Sequence, residues 1–112
     1  PWHLVADNSS RIYVTLSGQS ILGGQGIACL SYSNQELSLI WHNKDLNENM
    51  DSPHGISLSY DESKIFVSDR GNGKFYILDA FTGEILFQEN LAIESIGSTA
   101  ILGGVASTLN AW

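Results

Sequence analysis

Basic residues are scarce in this chain: five Lys and Arg stand against twelve Asp and Glu, a formal net charge of −7 over 112 residues. Such a surface repels a phosphate backbone and an anionic bilayer, so nucleic acid and acidic membrane faces are set aside as partners. Cysteine is limited to Cys29, which rules out an internal disulfide framework. Flanked by Ile27, Ala28 and Leu30, it reads as a small core residue rather than a nucleophile. Long apolar runs are also missing, and none approaches the roughly 20 residues of a membrane-spanning helix. Pro1-Trp2-His3 has neither the basic nor the apolar region of a signal peptide, which leaves export open. Helical patterning is poor: the best stretch, Lys44 to Ser52, is dominated by Asn and Asp and runs into Pro53. The glycines make no phosphate or dinucleotide fingerprint, because no helix follows them at the required spacing.

What is present is period-2 alternation. Arg11 to Leu16, Lys64 to Ser68 and Lys74 to Leu78 are short runs rich in β-branched and aromatic residues. Turn formers bound each of them: Asp7 to Ser10, Tyr60 to Ser63, Gly71-Asn72-Gly73 and Phe81 to Glu84. This is the grammar of antiparallel strands joined by tight turns.

The chain also repeats itself. Moved by 53 positions without a gap, His3 to Gly18 falls on Ile56 to Gly71, with Ser10, Ile12, Val14 and Gly18 on Ser63, Ile65, Val67 and Gly71. Val5 then meets Leu58 and Pro1 meets His54. The likeness continues through a third strand, Ile27 to Ser31 on Phe75 to Asp79, and a fourth, Glu36 to Trp41 on Glu84 to Gln88. Four short antiparallel strands in tandem are the unit of a β-propeller blade. The expected fold is therefore all-β, an incomplete ring of about two four-stranded blades over residues 3–42 and 54–91. The stretch 105–112, with Val105 to Leu109 about one further period beyond the first strand of the second blade, supplies the start of a further strand. Two blades leave two faces to cover, so the expected partners are further blades, from a longer polypeptide or from copies of this chain.

The second repeat contains Pro53-His54-Gly55, then Asp69-Arg70-Gly71-Asn72-Gly73-Lys74-Phe75-Tyr76-Ile77. These strings resemble NHL-type propeller repeats and, within that class, are similar to the peptidyl-α-hydroxyglycine α-amidating lyase family. The resemblance implies a zinc-binding imidazole at His54, a substrate-facing guanidinium at Arg70 and a peptide substrate. Zinc bound by imidazoles would polarise the hydroxyl of a carbinolamide, and a guanidinium binds a carboxylate bidentately. The first repeat supplies less, with Leu16-Ser17 standing where Asp69-Arg70 stand. His3 reaches the His54 position only if two residues are inserted in the first hairpin.

Each of these residues also has a plainer role open to it. His54 can cap a strand, Asp69 can hold the amides of the turn it opens, and Arg70 can be a solvated cation. His42 reads as a surface residue, and Trp2, Trp41 and Trp112 as packing between blades. Asn8-Ser9-Ser10 is an N-glycosylation triplet in an exposed turn, in keeping with an extracellular, secretory or periplasmic setting. Two function classes follow: a zinc-dependent carbon–nitrogen lyase, with His54, Arg70, Asp69 and His3 at its site, or a non-catalytic scaffold that binds protein, peptide or glycan.

Overall fold

A computed structural model describes residues 3–16, 26–43, 50, 53–69, 71 and 73–90. The insertion at 19–25, Arg70, Trp2, Trp112 and the stretch 105–112 lie outside the described residues, as does 44–52 apart from Met50. Among the described residues eight strands are present: β1 (Leu4–Ala6), β2 (Arg11–Leu16), β3 (Gly26–Ser33), β4 (Glu36–His42), β5 (Pro53–Leu58), β6 (Lys64–Asp69), β7 (Lys74–Asp79) and β8 (Ile85–Asn90). They form two four-stranded antiparallel sheets, in the orders β1-β2-β3-β4 and β5-β6-β7-β8. The fold is all-β.

The sheets match in irregularities as well as in regular pairing. The β3–β4 pairing shifts register between Cys29 and Leu30, and the β7–β8 pairing shifts between Ile77 and Leu78, 48 positions later. Ile40 and Leu86 are the extra residues of these two bulges, and both are exposed. Near the ends of the third strands, Tyr32 N–H donates to Ser10 O at 2.9 Å and Ala80 N–H to Ser63 O at 3.0 Å. Such shared defects are family traits of a repeated unit rather than accidents of packing.

The first hairpins differ. Asp7 N–H donates to Arg11 O, whereas the corresponding closure runs from Ser59 N–H to Lys64 O, so the second turn is one residue longer. In the first turn Asp7 Oδ1 accepts from the Ser9 and Arg11 amides; in the second Asp61 Oδ1 accepts from the Ser63 amide and from the Ser59 and Ser63 hydroxyls. The gapless offset of 53 therefore holds for β2 against β6 but fails for β1. Val5 pairs with Tyr13 and Ser57 with Phe66, which makes Ser57, not Leu58, the counterpart of Val5.

The two sheets pack through opposite faces. From the first sheet, Tyr13, Ile27 and Cys29 are buried with Val5 and Trp41 packed beside them. From the second, Ile56, Ile65, Val67, Tyr76, Leu78 and Ala80 meet them, with Leu58 and Ile85 at the edge. In the numbering of the repeat, one sheet contributes the face of Tyr13 and the other the face of Ile65, which is the counterpart of Ile12. The rim of this seam is polar and specific. Trp41 Nε1 donates to Ala80 O at 3.3 Å, the Arg11 guanidinium lies 4.8 Å from the Phe81 ring centroid, and Asn8 N–H donates to Glu62 at 3.1 Å. Trp41 also lies against Gly83, where a methyl group would sit 2.6 Å from its ring.

Candidate functional site

Two imidazoles meet where β1 and β5 begin. The rings of His3 and His54 lie edge to face with their centroids 4.8 Å apart, His3 exposed and His54 half-buried. Each ring arrives by a different route. The backbone of His3 pairs with Thr15, so it shares the face of Tyr13 and looks toward the second sheet. His54 is the unpaired residue of a bulge, since Pro53 pairs with Asp69 and Gly55 with Ser68. Bulges re-aim a side chain, and this one turns His54 away from the plain alternation of its strand.

Thr15 fastens the meeting point, and it is fully buried. Its hydroxyl accepts from His3 N–H at 3.0 Å and lies 3.2 Å from His54 O and 3.3 Å from His3 O. Because His3 O already receives the Thr15 amide at 3.0 Å, the hydroxyl proton is best used on His54 O, across the seam. Nothing in the opening strings singles out Thr15. Its signal is the hydroxyl at the corresponding place in the second repeat, Ser68.

Asp69 behaves as a turn residue. It is fully buried, and its Oδ1 accepts from Gly71 N–H at 2.9 Å while its carbonyl accepts from Gly73 N–H, which is held at φ 72°. By strand parity it shares the face of Ile65 and Val67, and its backbone pairs with Pro53, the residue before His54. Arg70 is outside the described residues, so its guanidinium is not placed against any of these groups. The two-residue insertion proposed to bring His3 onto His54 is not what occurs. A one-residue difference sets His3 opposite Gly55 in the repeat, and proximity to His54 comes from the seam. His42 is half-buried, not on the surface, with its backbone opposite Ala28.

Neither a family model, nor a curated protein, nor a solved structure matches the chain. The chemistry must therefore be argued from the side chains themselves. Among the described residues no three His, Cys, Asp or Glu side chains come together in a group suited to a metal ion. The site offers two imidazoles, fewer than the three protein ligands that a catalytic zinc commonly takes. Cys29 adds nothing to it, being buried on β3 with its thiol pushed up to about 11 by burial, which keeps it protonated and unreactive. Asn8 lies in an exposed turn, with its backbone amide held by Glu62.

Proposed function

We propose that this chain is a pair of adjacent blades of a β-propeller, a binding scaffold whose ligand-contacting rim lies where His3 and His54 meet. One observation supports the reading above the rest: equivalent sheets pack through non-equivalent faces. Two sheets closing into a sandwich about a two-fold axis would present the same face to each other. A repeat that advances around a ring presents its leading face to the trailing face of the next unit, and the seam has that sense. The starts of the first strands of successive blades then fall on one rim, where short loops and imidazole edges face a protein, peptide or glycan.

A second reading keeps the zinc lyase, and the convergence of His3 with His54 favours it. There His54 and His3 would supply imidazole ligands, Arg70 would hold a carboxylate, and the remaining ligands would come from other blades. Zinc content of the purified, assembled protein, measured with peptidyl α-hydroxyglycine cleavage to glyoxylate, separates the two. The scaffold reading expects ligand binding that survives chelation and no glyoxylate release. Stoichiometric zinc lost together with lyase activity in His54→Ala would replace the scaffold by the enzyme.

A further inference from the structure

We infer that the second sheet carries a subsite for a neutral sugar residue where β7 begins and β8 ends. A cavity of about 350 Å³ opens there, and among the described residues Lys74, Gln88, Glu89 and Asn90 line it. Its size falls within the range of about 300–1,000 Å³ that small-ligand sites occupy. Lys74 and Asn90 are cross-strand partners. Asp69 pairs with Lys74 and Pro53 with Asp69, so one row of partners runs from the cavity to the residue before His54. The subsite therefore lies at the same end of the sheet as the imidazole pair but on its far strand, and it extends the binding rim outward. Gln88 shares the face of Lys74 and Asn90 by alternation, while Glu89, of opposite parity, lines the cavity from the exposed edge strand.

The lining selects the ligand. All four side chains are polar, and their charges cancel, one ammonium against one carboxylate. The carboxylate next along the row, Asp69, already accepts from Gly71 N–H. An ammonium only donates, a carboxylate only accepts, and the two carboxamides do both. A hydroxyl can accept from one such group and donate to another, and several hydroxyls on a rigid ring do so with few rotors to freeze. An anion would meet Glu89, a cation would meet Lys74, and an apolar ligand would leave the four polar groups facing it without hydrogen bonds. The first sheet has no equivalent place. Strand registers make Gly26, His42 and Asn43 the counterparts of Lys74, Gln88 and Glu89. Gly26 brings no side chain, and Asn43 is fully buried, its Oδ1 accepting from Ile27 N–H at 2.7 Å. What closes a strand end in the first sheet is opened in the second and furnished with polar groups, a difference that the shared framework does not require.

Amide correlation spectra of the isotopically labelled whole chain, titrated with glucose, galactose, mannose and N-acetylglucosamine, test this. Saturable shifts at Lys74 and at Gln88 to Asn90 are expected at millimolar concentrations of at least one of these sugars. Gln88→Ala and Asn90→Ala, both at exposed positions, should each weaken that binding about tenfold by removing one hydrogen-bonding group, with the far-ultraviolet dichroism of the wild type. The absence of a saturable shift with every one of these sugars overturns the inference. So do shifts that both substitutions leave unchanged, or shifts confined to His3 and His54, which would put the sugar on the imidazole rim instead. Glycine and inorganic phosphate are the charged probes, and tighter binding of either at the same residues overturns the assignment to a neutral sugar. The zinc measurement is separate: sugar shifts at Lys74 and Gln88 to Asn90 sustain the subsite even in a zinc lyase, so this inference and the scaffold reading fail independently.

Discussion

Replacing Gly83 by Ala probes the seam between the sheets at a single methyl group. Two costs are expected. Gly83 is held at φ 79°, where an L-residue costs about 1–2 kcal/mol. The added Cβ would also stand 2.6 Å from Trp41 Cε3, 2.8 Å from Cζ3 and 2.9 Å from Cδ2, all in a side chain that belongs to the other sheet. Trp41 cannot withdraw freely, because its Nε1 is bonded to Ala80 O and its ring lies 6.2 Å from Tyr13. Overpacking of that kind costs about 1–3 kcal/mol, so the sum is about 2–5 kcal/mol. The two parts separate in a double-mutant cycle. In a Trp41→Ala background the clash is gone and only the backbone cost, about 1–2 kcal/mol, remains. Urea unfolding followed by far-ultraviolet dichroism on the four proteins gives the coupling directly. An equal penalty for Gly83→Ala in both backgrounds would refute the placement of Trp41 on the second sheet, and the face-to-face packing argued from it.

Thr15→Val keeps shape and removes the hydroxyl that spans the seam, and with it the bonds to His3 N–H and His54 O. The expected loss is about 1–3 kcal/mol; Thr15→Ser should retain most of the stability, and equal effects of the two substitutions in urea unfolding would contradict the assigned bonds. Alkaline pH acts in the same core. Burial is the main cause raising Tyr13 from 10.0 to about 12 and Cys29 from 9.0 to about 11, so the native state keeps protons that the unfolded chain releases. Their contribution to stability is complete below about pH 9 and declines as pH rises toward 12. Denaturation midpoints should fall across that window, and less steeply in Tyr13→Phe and Cys29→Ala; a midpoint flat from pH 9 to 12 in the unaltered chain would disprove the burial effect.

Strand content was legible because alternation is a local property. The runs Arg11 to Leu16 and Lys74 to Leu78 carry it openly, and the third-strand match of Ile27 to Ser31 with Phe75 to Asp79 agrees with the registers found. What sequence could not show was which way each face points, since alternation gives two faces and no sign. That choice depends on what packs against them. It is why Trp41 could be suspected of packing between units while Gly83, its seat, passed as one more turn residue. Asp69 was legible as a turn holder because an Asp followed two residues later by a free amide is itself a local pattern. Thr15 was not, because its partner across the seam is 39 positions away.

The candidate site depends on two local irregularities that a period-2 reading cannot register. With the longer turn of the second hairpin, the gapless offset would apply and His3 would take the place of Ile56. Since a one-residue slip reverses every side chain of a strand, His3 would then point away from the second sheet. His54 has the converse history. Without the bulge after Pro53 it would pair with Asp69 and share the face of Ile56 inside the seam core; as the extra residue it is set instead against the His3 ring. A turn shorter by one residue and a strand longer by one thus bring two imidazoles to 4.8 Å. Hydrophobic patterning is indifferent to both changes, because the apolar faces are satisfied either way. Irregularities that the core does not demand, set side by side at the same end of adjacent sheets, are what set this edge apart from the rest of the two sheets.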